Sequence, residues 1–273
     1  MFQRQAKRSR VARVFSLLSL TYHATVRNVR KGSGNAILGL LSNMAQAVIL
    51  VAVFYAMFSI LGMKGAPVRG DFIVYLMSGV FLFLTHNKAL SSVLGAEGPT
   101  SPMMKHAPMN TLVSISSAAL AALYLQLLAF GVILIGVHVA WRPVEIHDPA
   151  GLMRNFILAW ASGAAIGLVF LALKPWAPGL VQLVSMVYMR ANMISSGKMF
   201  VVNQLPGFLL PYFTWNPLFH TIDQARGAAF VNYFPRHTTE SYPAILAVTC
   251  LMLGLMGEFY TRRRASASWA ARQ

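Results

Sequence analysis

Asn216, His220, Asp223 and Arg226 fall within eleven positions in the stretch TWNPLFHTIDQARGAAF, between two strongly apolar parts of the chain. They bring together an amide, an imidazole, a carboxylate and a guanidinium, groups that can move protons or grip a polar solute. Asn216 suits an N-cap and Pro217 a first helical position, so the spacing predicts a short helix from Pro217 towards Phe230. On it His220, Asp223, Gln224 and Gly227 share one face, and Leu218, Ile222, Ala225 and Ala229 share the other. Arg226 stands three residues from Asp223, within pairing range. A polar face of this kind either locks the helix to a bundle or contacts a polar solute.

Other chemistries find less support. The seven His are scattered, without an HxxxH or HExxH pair. Glu145, His147 and Asp148 lie close enough in sequence to ligate a metal, but a solvated loop explains them better, and no metal site is expected. The single Cys250 lies in an apolar run, which leaves no disulfide framework and no thiolate site.

What must position these residues is a membrane fold. The 273 residues are 56% hydrophobic and 11% charged, with a mean hydropathy of +0.57, where soluble domains carry about 25% charged residues. Runs of about 20 apolar residues recur, the length of a helix that crosses ~30 Å of hydrocarbon. The pattern predicts an all-α integral membrane fold with spans at 36–61, 71–87, 111–138, 155–173, 177–198 and 243–260. A basic segment at 1–35 precedes this 36–260 domain, and a basic tail at 261–273 follows it.

The net charge of +16 is concentrated at the two ends, which argues for orientation in a membrane and against nucleic acid. Eight basic residues precede Ala36 and four follow Tyr260, so both termini are expected in the cytoplasm. No cleavage pattern follows the first apolar run, and no removable signal peptide is expected. Within 1–35, Val11, Val14, Phe15, Leu18 and Tyr22 recur at helical spacing, which suits a helix lying flat on the inner membrane surface; a disordered basic tail is the alternative. The segment 89–108, with three prolines and one acid, reads as a structured cytoplasmic elbow.

Three further features carry physical weight. Gly163 and Gly167, preceded by Ala159 at the same spacing, let a helix backbone approach a neighbour closely, here expected within the chain. Arg190 stands eleven residues beyond Gly179, roughly 16 Å along a helix. At mid-membrane an arginine costs at least ~2.5 kcal/mol and belongs in a protein interior or a wet cavity, unless the span is shifted and the side chain snorkels. Asn192, Ser195, Ser196 and Lys198 lie close by. After them VVNQLPGFLLPYFTWNPLFH is broken by Pro206, Pro211 and Pro217, too short to cross again, and predicts a re-entrant pair of short helices on the outer side.

These residues resemble the signature of type-2 ABC exporter permeases, in particular those exporting capsular polysaccharide and related lipid-linked glycans. The likeness rests on Leu205-Pro206, Trp215-Asn216-Pro217-Leu218, His220, Asp223 where the family more often has Glu, and Arg226. Upstream it includes Arg190, Ser195, Ser196 and Gly197; at the end it includes the basic run EFYTRRR. Leu38-Gly39 is present at the first span, without the Trp and Pro that the family tends to have there.

The resemblance implies a permease subunit in the bacterial cytoplasmic membrane, a homodimer enclosing a path and driven by two separate ATPase subunits that use ATP and Mg. This chain would bind no cofactor of its own, and it holds no GxxxxGK[ST] phosphate loop. The resemblance maps ATPase coupling to the 89–108 elbow, with Glu97 and Lys105 at the contact. It places Arg190, Tyr188, Ser195, Tyr212, Phe213 and Trp215 along the path, although an interfacial aromatic belt would use the same aromatic residues. Membrane lipids are expected neighbours, and envelope export proteins are compatible further partners. Rival readings are an exporter of a drug or lipid, an integral-membrane lipid-modifying enzyme, and a scaffold without a transport cycle.

Overall fold

The computed structural model describes residues 10–31, 36–60, 71–98, 110–140 and 143–270. Eight α-helices run through them: α1 (Arg10–Lys31), α2 (Ala36–Ile60), α3 (Phe72–Leu94), α4 (Thr111–Ala140), α5 (Pro149–Leu173), α6 (Pro178–Ser195), α7 (Pro217–Ala229) and α8 (Ser241–Ala270). Between α6 and α7 the chain makes two 3-10 turns, Val202–Gln204 and Leu210–Tyr212. The first limb of the expected re-entrant pair is therefore irregular rather than helical.

Five helices, α2, α3, α4, α5 and α8, are long and apolar enough to cross a membrane. The remaining expected span, the fifth at 177–198, corresponds to α6, which has 18 residues and does not reach that apolarity. Gln182, Ser185, Arg190, Asn192 and Ser195 dilute it. Span edges also move for local reasons. α3 continues past the expected end at 87 to Leu94, where Gly95 forms the C-cap. α5 starts at Pro149 rather than 155 because Asp148 caps it, its Oδ1 accepting from the Gly151 N–H at 3.0 Å.

α3 is the axis of the bundle. It is 78% buried over its apolar window, against 17% for α2, 28% for α4 and 22% for α8, which turn most of their apolar surface outward as lipid-facing helices do. The small-residue stripe of α5 is used inside the chain. A Cβ on Gly163 would run into the His86 carbonyl, and one on Gly167 would come within 2.6 Å of the Leu90 oxygen. Farther along, Gly254 of α8 lets Leu168 approach to 2.6 Å of where its Cβ would stand. Phe81, Phe130 and Phe156 fill the space between α3, α4 and α5, with ring centroids 5.1 and 5.6 Å apart.

Alternating helix direction gives the bundle two ends. At one, α1 packs along α4, with Asn28 Nδ2 donating to Ser117 Oγ at 3.0 Å, and the starts of α2 and α4 meet the end of α3. α1 leaves Val14, Phe15, Leu18 and Tyr22 exposed, the apolar row read from its spacing. At the other end Phe58 of α2 meets Phe72 of α3, and α7 packs against α5, α3 and α8. There the Asp148 N–H donates to the Ala228 carbonyl at 2.8 Å, so the Glu145–Asp148 loop is tied to α7.

Candidate functional site

α7 begins where the sequence places it. Asn216 accepts from the Leu218 N–H at 2.9 Å, and Pro217 takes the first helical position. The same amide donates to Asn192 Oδ1 at 3.0 Å and to Ser195 Oγ at 2.7 Å, and Asn192 Nδ2 donates in turn to Asn87 Oδ1 at 3.3 Å. One fully buried N-cap thus joins α7 to α6 and α3.

Arg226 is fully buried, and its partners differ from those expected. Its Nη1 donates to the carbonyls of Gly197 and Phe200 at 2.8 and 2.7 Å, its Nη2 to that of Lys198 at 2.7 Å, and its guanidinium lies 4.0 Å over the Tyr75 ring. Nε has no partner. These carbonyls follow the end of α6, where backbone oxygens lack intrahelical donors and the helix dipole favours a cation. Charge-assisted bonds of this length and a desolvated cation–π contact take the place of a counter-ion. Two glycines make the approach fit: Gly197 has φ +74°, the left-handed turn that ends α6, and a Cβ on Gly79 would stand 3.1 Å from Nη2 and from Lys198.

Asp223 does not pair with Arg226. Its carboxylate accepts from the Tyr233 hydroxyl and, at 2.7 Å, from Thr238 Oγ1. Each ion serves a different irregular segment, Arg226 the one before α7 and Asp223 the one after it. Burial raises the Asp223 pKa above the usual carboxylate range, against the opposing pull of these hydroxyls and of Arg226. Burial also raises the pKa of Tyr233, which therefore remains a donor.

His220 closes the third side. Its Nδ1 accepts from the Thr239 N–H at 3.1 Å, so the neutral ring carries its proton on Nε2 and donates to the Thr214 carbonyl at 2.9 Å. Burial lowers its pKa. Gln224 donates to the Thr238 carbonyl at 2.8 Å, and Gly227 leaves room for Pro235. The polar face of α7 is thus buried and bonded rather than solvated. It acts as a clasp between residues 196–215 and 230–240, and neither His220 nor Asp223 is left free to take a proton from a substrate.

The other predicted residues separate into two groups. Tyr188 and Ser195 face inward: the Tyr188 hydroxyl lies 3.1 Å from His86 Nε2, and Ser195 belongs to the Asn216 network. His86 Nδ1 reaches the Ala159 carbonyl and Ser162 Oγ, each at 3.1 Å. Arg190, Tyr212 and Trp215 are exposed, while Phe213 packs edge-on against Phe200. Glu97 is half-buried, its backbone N–H bonded to Ser114 Oγ, and Lys105 lies outside the described residues.

Several participants were not read from the sequence. Tyr75, Tyr233 and Thr238 carry no local signal, since each meets α7 only through the tertiary fold. His86 and Asn87 did carry one, as polar residues at the edge of an apolar run. Arg154 and Glu240, which form a forked ion pair at 2.7 and 2.8 Å joining α5 to the start of α8, are separated by 86 positions. Compared with known protein families and with curated proteins, the chain matches none.

Proposed function

We propose that this chain is the permease subunit of an ATP-driven type-2 ABC exporter that moves capsular polysaccharide or a related lipid-linked glycan out across the bacterial cytoplasmic membrane. It works as a homodimer with two separate ATPase subunits, which bind the ATP and Mg, and keeps both termini in the cytoplasm. The observation that carries the reading is the convergence of the signature residues. Asn216, His220, Asp223 and Arg226 are all buried in one clasp, and each has its own set of partners.

The form of α6 supports the dimer. It buries a polar stripe, Ser185, Asn192 and Ser195, and exposes Leu180, Leu183, Val187, Arg190 and Ile194. A helix built this way suits a sixth span whose outer face meets a second copy, with Arg190 turned towards the path between them. There its guanidinium can give fork-like hydrogen bonds to the phosphate or acidic sugars of the cargo. Coupling to the ATPase falls to the 89–108 elbow, with Glu97 and Lys105 at the contact.

Deletion of the gene, followed by measurement of surface glycan and of its internal accumulation, tests the reading. Loss of surface glycan with internal build-up, restored by the wild-type chain, is expected; unchanged surface glycan rejects it. In the complemented strain Arg190→Ala is expected to slow export per inserted permease, and full activity at normal level removes Arg190 from the path. An exporter of lipid is the second reading, favoured by an apolar groove of about 480 Å³ that includes Leu17, Val93, Ile115, Leu168 and Leu251. The same deletion strain would then change its lipid distribution and leave surface glycan intact.

A further inference from the structure

At the end of the bundle away from α7, helices α1 to α4 leave a cavity of about 440 Å³. About half of its wall is polar, although the helices around it are largely apolar. Arg27 of α1 and Lys88 of α3 contribute two cations, Glu97 one acid, and Ser42, Asn43 and Gln126 hydroxyl and amide groups. Neither cation is in an ion pair among the described residues. Gln126 is 1% exposed; its Nε2 donates to Asn43 Oδ1 at 3.1 Å, while its Oε1 has no partner. A buried amide oxygen left this way calls for a donor.

A second feature adjoins the cavity. Ser42 and Gln46 line it and also line an apolar groove of about 550 Å³, which passes Ile49, Leu50 and Val53 of α2 against Phe83 and Leu84 of α3. Ser42 to Val53 covers roughly 16 Å of helix at 1.5 Å per residue, about half of the ~30 Å hydrocarbon thickness. A polar chamber thus opens onto an apolar track one leaflet long.

We infer that cavity and groove form one binding site for a membrane lipid with a hydroxylated phosphate headgroup. The phosphate accepts from Arg27 and Lys88, the headgroup hydroxyls donate to Glu97 and to Gln126 Oε1, and one hydrocarbon chain lies along the groove. Charge-assisted bonds favour the phosphate, and each CH₂ taken from water adds to affinity. A choline headgroup offers no hydrogen-bond donor and leaves Gln126 Oε1 unmatched. The site goes beyond the export reading and needs no assumption about the cargo.

The test uses the full chain purified in phosphatidylcholine nanodiscs, with phosphatidylglycerol as the lipid probe, glycerol-3-phosphate as its chain-free counterpart, and native mass spectrometry as the readout. Phosphatidylglycerol is expected to be held about tenfold or more above phosphatidylcholine, and glycerol-3-phosphate about tenfold or more below phosphatidylglycerol. Lys88→Gln and Gln126→Leu should each remove the preference over phosphatidylcholine. Ile49→Trp alters an exposed position that the fold tolerates, fills the groove, and should bring the lipid down to the level of glycerol-3-phosphate. Equal retention of the two lipids, or undiminished preference in both headgroup variants, overturns the site. Glycerol-3-phosphate bound as tightly as phosphatidylglycerol overturns the lipid and leaves a soluble phosphate ester as the ligand.

Discussion

At the α7 end, a guanidinium, a carboxylate and an imidazole lie inside the protein, each holding groups of the same chain in at least two directions. At the α1 end, Arg27 and Lys88 border a cavity, and Gln126 has one amide atom bonded and the other not. Burial is similar for Arg226 and Gln126, so burial does not separate the two regions. Closure does: Arg226 Nε is unpartnered too, but its guanidinium is enclosed by the carbonyls it holds and by Tyr75, whereas Gln126 borders a cavity. A network enclosed by protein fixes geometry, whereas one that borders a cavity leaves room for a ligand.

The sharpest way to break this comparison is Arg226→Leu. It removes a buried cation and strips the carbonyls of Gly197, Lys198 and Phe200 of their donor, for an expected loss of about 4 kcal/mol in denaturant unfolding of the purified chain. Arg226→Lys should recover little, because one ammonium cannot span three carbonyls and stack on Tyr75. A loss under about 1 kcal/mol would show that the clasp does not hold the region. Asp223→Asn ranks next, at about 2 kcal/mol, since an amide places a donor where Tyr233 or Thr238 already donates.

Titration of the clasp gives a smaller effect whose sign follows from linkage. The His220 pKa lies below its ordinary 6.5, so on acidification the unfolded chain takes up the proton first and stability falls as the pH drops below 6.5. Asp223, with a raised pKa, acts oppositely in a lower window: its contribution is complete below 3.8 and is lost as pH rises through the folded value. Unfolding midpoints against pH should show the first trend in wild type and lose it in His220→Gln. The smallest effect belongs to the open region. Gln126→Leu loses one hydrogen bond but also relieves an unpartnered oxygen, and should change stability by less than about 1 kcal/mol while lipid preference disappears.

The sequence conveyed features whose physics is local. Asn216 and Pro217 start α7 because capping depends on adjacent residues, and Gly163 and Gly167 announced a close helix contact through spacing alone. α1 likewise follows from its periodic apolar row. The Asp223–Arg226 pairing did not survive, because helical spacing lists the neighbours on one surface and not the two loops that compete for them. Gly79 gave no warning that a buried guanidinium passes within 3.1 Å of where its Cβ would stand. The groups that complete the clasp, Tyr75, Tyr233 and Thr238, become partners only when distant segments meet. α6 was harder for the opposite reason: its polar stripe lowers its apolarity below that of the five clear spans, although it is long enough to carry a broad apolar face.

The central position of α3 has a consequence for biogenesis. Its hydropathy of 1.3 is the lowest of the five apolar helices, while its burial is the highest. A helix surrounded by protein can be less greasy than one that faces lipid, yet it is made before the partners that surround it. At about 5–20 residues per second of synthesis, several seconds separate the emergence of α3 from that of the glycine face of α5. During that interval α3 waits in or beside the bilayer with His86 and Asn87 still unmatched, which makes it the step at which an insertion chaperone or a partner subunit would have the most to protect.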